Sequence, residues 1–263
     1  MQYVRSLDQP PAAHLSHASG VDTAVIAQLE SVTALGRTYR PGGGDPAPQC
    51  SPGDVYLFVT DGNLVVEVDG RELAVGPEAM AFIPAGAAHL VRNVEAGGEA
   101  RALVLVMPSP PAGAALFDAA PAPPPPTTGR ADGRAFVVAL EAAGFDAGSR
   151  PNGFAVQTMA DASRGVRTCT MNAARVNAGG EGPAVHIHTF DQLFFVVRGR
   201  LNVRVALEEV VAATHELVVL PAGVPHTQWN EGPDTEVHLA VLTPAPPAGE
   251  PLTRPVTFGP PTG

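Results

Sequence analysis

The chain has 263 residues, with 26 acidic against 16 basic side chains and a formal net charge of −10. It therefore offers no general phosphate-binding surface, and nucleic acid is excluded as an expected partner. Gly and Pro number 28 each beside 45% hydrophobic content, so a core can form while turns come too often for long helices. The opening MQYVRSLDQPPAAHLSHASG has neither the basic start nor the apolar run of a secretory signal. No stretch approaches the ~20 apolar residues that span a bilayer, and a cytoplasmic chain without a membrane partner is expected. Cys50 and Cys169 lie far apart, without metal-site or disulfide-framework spacing, and are expected to be small buried hydrophobes.

In chain order, the first strongly patterned segment is DVYLFVTDGNLVVEV, from Asp54 to Val68. Its apolar and polar residues alternate on either side of a Gly-containing turn, which predicts two strands. IPAGAAHLVRN, ending at Asn93, and the Pro-rich PSPPAG from Pro108 follow. APAPPPPTTGR, Ala120 to Arg130, cannot join a sheet ladder and is expected to be an extended linker. ADGRAFVVALEAAGF comes next, and its Ala-rich composition predicts one short helix.

The second half repeats the first. DQLFFVVRGRLNVRV, Asp191 to Val205, matches the Asp54 segment at an offset of 137 residues, and LPAGVPHTQWN, ending at Asn230, matches IPAGAAHLVRN at the same offset. PAPPAG from Pro244 echoes PSPPAG at an offset of 136. The repeat predicts one all-β unit of two facing sheets over residues 1–119, a linker over 120–130 and a second such unit over 131–263, with spacing alone leaving barrel and sandwich equally open.

The second copy alone carries HIH, His186 and His188. Two residues apart on a strand, both imidazoles leave one face and can meet a single ion. Continuing that parity, Phe190, Gln192, Phe194 and Val196 also face inward, lining the histidines with apolar surface. His226 follows a Pro-Gly turn, and Gln228 shares its parity. Three neutral imidazoles suit iron, zinc, nickel, cobalt, manganese or copper. Phe190, Phe194 and Gln228 are the candidate substrate-pocket residues, and His238 in EVHLAVL is a candidate catalytic base beyond the ligands.

These segments resemble the two signature motifs of the cupin superfamily. Gly180, His186, His188 and Gly199 stand at the first motif's positions, with Gln192 where the family has Glu. Pro221, Gly223, His226 and Asn230 fit the second, with His215, expected to be exposed, in place of its leading Gly. The resemblance implies an all-β fold of two tandem jelly-roll barrels with few short helices, a metal inside the second barrel and a mouth open to a small-molecule substrate. In the first copy Gln49 and Ser51 replace the paired histidines, Val55 replaces Gln192, and only His89 remains. One imidazole does not hold a transition ion, so the first barrel is expected to be a structural or interface partner. A metal-free ligand pocket is the sharper alternative.

Gln192 sets the expected chemistry. A neutral amide cancels no charge and moves no proton near neutral pH, which leaves the full charge of a divalent ion to anionic oxygens such as enolates or phenolates. Ferrous iron with three histidines and Gln192 around it, binding substrate and O₂ together, is the favoured expectation. It is similar to the cupin dioxygenases acting on gentisate, flavonols or β-diketones. Metal-dependent isomerases, cyclases or lyases, resembling bicupins of bacterial secondary metabolism, are the alternative, with a nonenzymatic binding protein third. The resemblance leaves room for a homodimer.

Overall fold

The computed structural model describes residues 3–9, 14–16, 18–120, 134–146 and 153–257. Apart from Ala120, the proposed linker lies outside these residues. The chain forms two compact units, one of Ser6–Leu140 with Asp161–Thr168, the other of Met1–Arg5 and Glu141–Ala160 with Cys169–Gly263. Each is built from two antiparallel sheets, the all-β jelly-roll expected from the sequence. Among the described residues no helix is long and apolar enough to cross a membrane.

In the first unit a seven-stranded sheet runs in the order Phe136–Ala139, Ala79–Ile83, Asp54–Asp61, Ala100–Met107, Thr33–Tyr39, Val21–Gln28, His14–Ser16. The five-stranded sheet has the order Asp118–Ala119, Gln49–Cys50, His89–Asn93, Leu64–Val68, Arg71–Val75. Alternate residues supply the core between them: Val55, Leu57 and Val59 from one sheet pack with Leu64, Val66, Val68 and Val91 from the other. That is the period-two pattern of strands buried on one side.

The second unit repeats the plan. Its six-stranded sheet has the order Val4–Ser6, Glu216–Leu220, Asp191–Arg198, Glu236–Thr243, Thr170–Val176, Phe154–Ala160. The five-stranded sheet runs Glu208–Ala213, Arg200–Val205, His226–Trp229, His186–Ile187, Arg254–Pro255. Phe194, Val196, Val218 and Ala240 pack against Leu201, Val203 and Val205. Burying a side chain such as Phe194 stabilises by about 1.5–3 kcal/mol.

The shared motif residues are explained by shared local structure. The carboxylates of Asp54 and Asp191 accept from the backbone N–H of Ala85 and Ala222, at 2.8 and 2.9 Å, tying each strand to its Pro-Ala-Gly turn. Asn93 and Asn230 each donate Nδ2–H bonds to backbone carbonyls, Asn93 to Tyr39 and Gly98, Asn230 to Val176 and Asp234. Gly62 holds φ +73°, and a Cβ there would come within 2.7 Å of the Glu99 carbonyl oxygen. Its counterpart Gly199 has φ +84°. His215, standing where the motif has Gly, takes φ 64°, and Glu78 at the matching position takes φ 57°. Both repeats thus keep the left-handed backbone without the glycine that would relieve it.

Two expectations are corrected. The short helix expected over residues 131–145 is replaced by a strand, Phe136–Ala139, paired with Ala79–Ile83, and a single 3-10 turn, Ala142–Gly144. Consecutive Phe136, Val137 and Val138 favour extended backbone, and an available sheet edge outweighs weak Ala propensity. The Phe136 ring stacks on Phe82 with centroids 5.0 Å apart. His215, expected to be exposed, is half-buried and stacks on Phe195 at 6.3 Å. Cys169 is buried as expected, while Cys50 is half-buried.

Candidate metal centre in the second repeat

Strand geometry brings the three histidines together. His186 lies directly opposite His226 in the ladder, and His188 follows on the same face two residues later. The ring centroids are 4.7 Å apart for His186 and His188, 4.5 Å for His186 and His226, and 5.0 Å for His188 and His226. All three are buried, and their ligand atoms lie within 4.8 Å of one another.

Hydrogen bonding decides which nitrogen of each ring is free. Nδ1 of His186 faces the Ala184 carbonyl at 2.6 Å, Nδ1 of His226 faces the Val224 carbonyl at 2.9 Å, and Nδ1 of His188 faces the carbonyl of Leu252. A carbonyl only accepts, so Nδ1 carries the hydrogen in each ring and Nε2 presents a lone pair. Those lone pairs converge: His186 Nε2 and His188 Nε2 are 3.2 Å apart. The Gln192 carbonyl oxygen stands 2.8 Å from His226 Nε2. Four acceptor atoms meeting at this range repel one another unless a cation lies among them, and the donor set fits a transition ion.

The protonation states agree. Burial holds all three imidazoles below the ordinary histidine range, and it brings His226 down to about 3, with the other two rings adding to the effect. They are neutral near pH 7 and ready to bind metal without first losing a proton.

Around this cluster the Phe190 ring stacks on His188 at 4.7 Å, and Phe194 meets His226 edge-on at 6.1 Å. Gln228 is buried and lies over Gly182, its Oε1 without a hydrogen-bond partner. Phe194 also stands edge-on to His238 at 4.9 Å, so one aromatic ring lies between His226 and His238. His238 Nδ1 contacts both carboxylate oxygens of Glu236, at 3.1 and 3.0 Å, while its Nε2 is buried and unpartnered. Burial pushes the Glu236 carboxyl up. Glu236 was not singled out in the sequence; its spacing from His238 puts both on one strand face, a pattern too common to mark a site by itself. The role of the Leu252 carbonyl had no sequence signal, because a backbone group has no residue type.

In the first repeat His89 lies opposite Gln49, its Nδ1 on the Ala87 carbonyl at 3.0 Å. The backbone of the site is thus kept and its other imidazoles are missing. Among the described residues the only group of three potential metal ligands is His186, His188 and His226.

No curated protein matches the chain in sequence. Solved structures do match in fold. A protein of Pseudomonas aeruginosa described as glyoxylate-induced is 20% identical with a TM-score of 0.65, covering 90% of this chain and 87% of that one. A deletion mutant of the oxalate decarboxylase of Bacillus subtilis is 13% identical with a TM-score of 0.67, covering 93% and 78%. The oxalate decarboxylase of Lactobacillus farciminis, in a formate complex, is 14% identical with a TM-score of 0.65, covering 92% and 86%. The family described as Cupin domain matches twice, over residues 37–106 and 173–243. With one match in each repeat, together more than half of its length, the chain belongs to the cupin family and is a bicupin.

Proposed function

We propose that His186, His188 and His226 hold one divalent transition ion, preferentially ferrous iron, with Gln192 at or beside a fourth position. The loaded protein is then a dioxygenase for a small anionic substrate of enol, phenol or β-diketone type. The observation that carries this is the convergence of three Nε2 lone pairs and the Gln192 amide oxygen with no carboxylate among them. Such a donor set leaves the ion's charge undiminished for an anionic oxygen.

A ferrous ion there would supply Lewis acidity toward the substrate oxygen and electrons to dioxygen. The chain's own residues supply the rest. The Nδ1–H bonds to Ala184, Val224 and Leu252 lock the ring orientations. Phe190 and Phe194 keep water from the rings, and the Gln192 amide N–H can donate to a substrate oxygen. The oxalate decarboxylases are named for a small dicarboxylate, which agrees in charge and size with a small anionic substrate.

One observation favours a second reading, a non-oxidative isomerase, cyclase or lyase. The buried His238 and Glu236 form a paired imidazole and carboxyl with a free Nε2, the arrangement of an oriented general base. Oxygen consumption separates the two. Protein purified anaerobically and loaded with Fe(II) should consume one O₂ per acetylacetone or catechol molecule lost. Turnover without oxygen uptake would establish the second reading. No turnover with a tightly held metabolite would make the protein a binding module.

A further inference from the structure

We infer that the first barrel, which lacks the metal ligands, is a binding site for a small uncharged molecule, mainly apolar and carrying a carbonyl-type acceptor oxygen. It contains a cavity of about 480 Å³, within the range of small-molecule sites. Val21, Thr23 and Val25 on one strand and Leu35 and Arg37 on its neighbour line it by alternation, together with Gln49 and residues between Pro110 and Phe117. Gln49 is the residue that stands where the second repeat has His186. The cavity is thus lined by the residue that corresponds, within its own repeat, to a histidine of the second repeat's cluster.

Two polar groups in this wall have nothing to bind. Arg37 Nε and Gln49 Nε2 are buried N–H donors without a hydrogen-bond partner, and Arg37 is only 9% exposed. Buried donors are costly to leave unmade, and two on residues that line the same cavity point to an acceptor supplied by a ligand. The Nη1 end of the Arg37 guanidinium is engaged. Its NH1 donates to Asp45 Oδ1 and to the Tyr39 hydroxyl, both at 3.3 Å, and the guanidinium lies 4.6 Å over the Phe117 ring.

Charge selects the ligand class. Arg37 and Asp45 form a buried pair that sums to zero, and Asp45 Oδ2 accepts from the Val91 N–H at 2.9 Å. Burial pushes the Tyr39 phenol up to about 12, so it stays protonated and adds no charge. A carboxylate ligand would find its countercharge already taken and Asp45 beside it. A neutral carbonyl meets the two free N–H donors without that penalty, while Val21, Val25, Leu35 and Phe117 cover its apolar body.

Three probes of similar size test this on the full-length protein: acetophenone, ethylbenzene, which lacks the carbonyl, and benzoate, which is charged. Binding is followed by calorimetry and by the Gln49 side-chain amide signal, assigned through its loss in Gln49→Leu. Acetophenone should bind about tenfold tighter than ethylbenzene, shift the Gln49 amide, and lose that advantage in Gln49→Leu. Benzoate should bind weakest. Ala115→Trp, a change at an exposed residue of the cavity rim, should block all three probes without touching the core. Equal affinity for acetophenone and ethylbenzene, tightest binding of benzoate, binding that survives Ala115→Trp, or no binding at all would each overturn the inference.

Discussion

At the scale of the residue, the proposed metal centre turns on Gln192. Its oxygen lies 2.8 Å from His226 Nε2, so Gln192→Glu places a carboxylate among the imidazoles. Coulombic attraction should then tighten divalent-ion binding by about tenfold or more. The added negative charge should weaken catecholate binding to the loaded protein by a similar factor. Metal affinity and catecholate affinity, measured at fixed pH and ionic strength, should move in opposite directions; if neither moves, Gln192 lies off the metal. Much at this scale was legible, because the spacing of His186, His188 and His226 follows from strand parity and a turn. Glu236 was not, since a Glu two residues before a His on a strand has no distinguishing pattern until both prove fully buried. The orphaned donors of Arg37 and Gln49 were equally hidden, because a missing partner is a property of three-dimensional packing.

At the scale of the element, the strand Phe136–Ala139 shows where local reading fails. Alanine content argued for helix, yet pairing with Ala79–Ile83 and stacking on Phe82 placed these residues in a sheet. A sheet edge more than fifty residues away in sequence is invisible to local propensity. The repeated turns were legible, because Pro-Ala-Gly and the paired Asp and Asn residues recur at a fixed offset. The compact units also draw on residues beyond their own repeat. The strand Val4–Ser6 pairs with Glu216–Leu220, and Phe136–Ala139 belongs with the first unit. A fragment starting at Arg130 would lack the first of these strands and carry the second without its partner, leaving two unpaired ladders. It should aggregate when expressed alone, as judged by size-exclusion chromatography; a soluble, fully metal-loaded fragment would contradict this.

At the scale of the whole molecule, the buried histidines tie stability to pH. His89, His186, His188 and His226 are all held by burial below the ordinary value of 6.5. The unfolded chain therefore takes up protons that the folded one refuses, and stability falls as pH drops below about 6.5. For His226 the window extends down to about 3, and each such group contributes about 1.4 kcal/mol per pH unit inside its window. Glu236, pushed up by burial, acts in the opposite sense, one carboxyl against four imidazoles. Denaturant unfolding of the metal-free protein should show lower stability at pH 5.5 than at pH 7.5, and a flat or inverted profile would refute the assignment. The same asymmetry between repeats, three clustered imidazoles in one and His89 alone at the matching place in the other, is why we propose metal binding in the second barrel only. Elemental analysis of anaerobically purified protein tests this most directly. One ion per chain is expected in the wild type and in His89→Ala, and none in His186→Ala; metal retained by His186→Ala, or lost from His89→Ala, would contradict it.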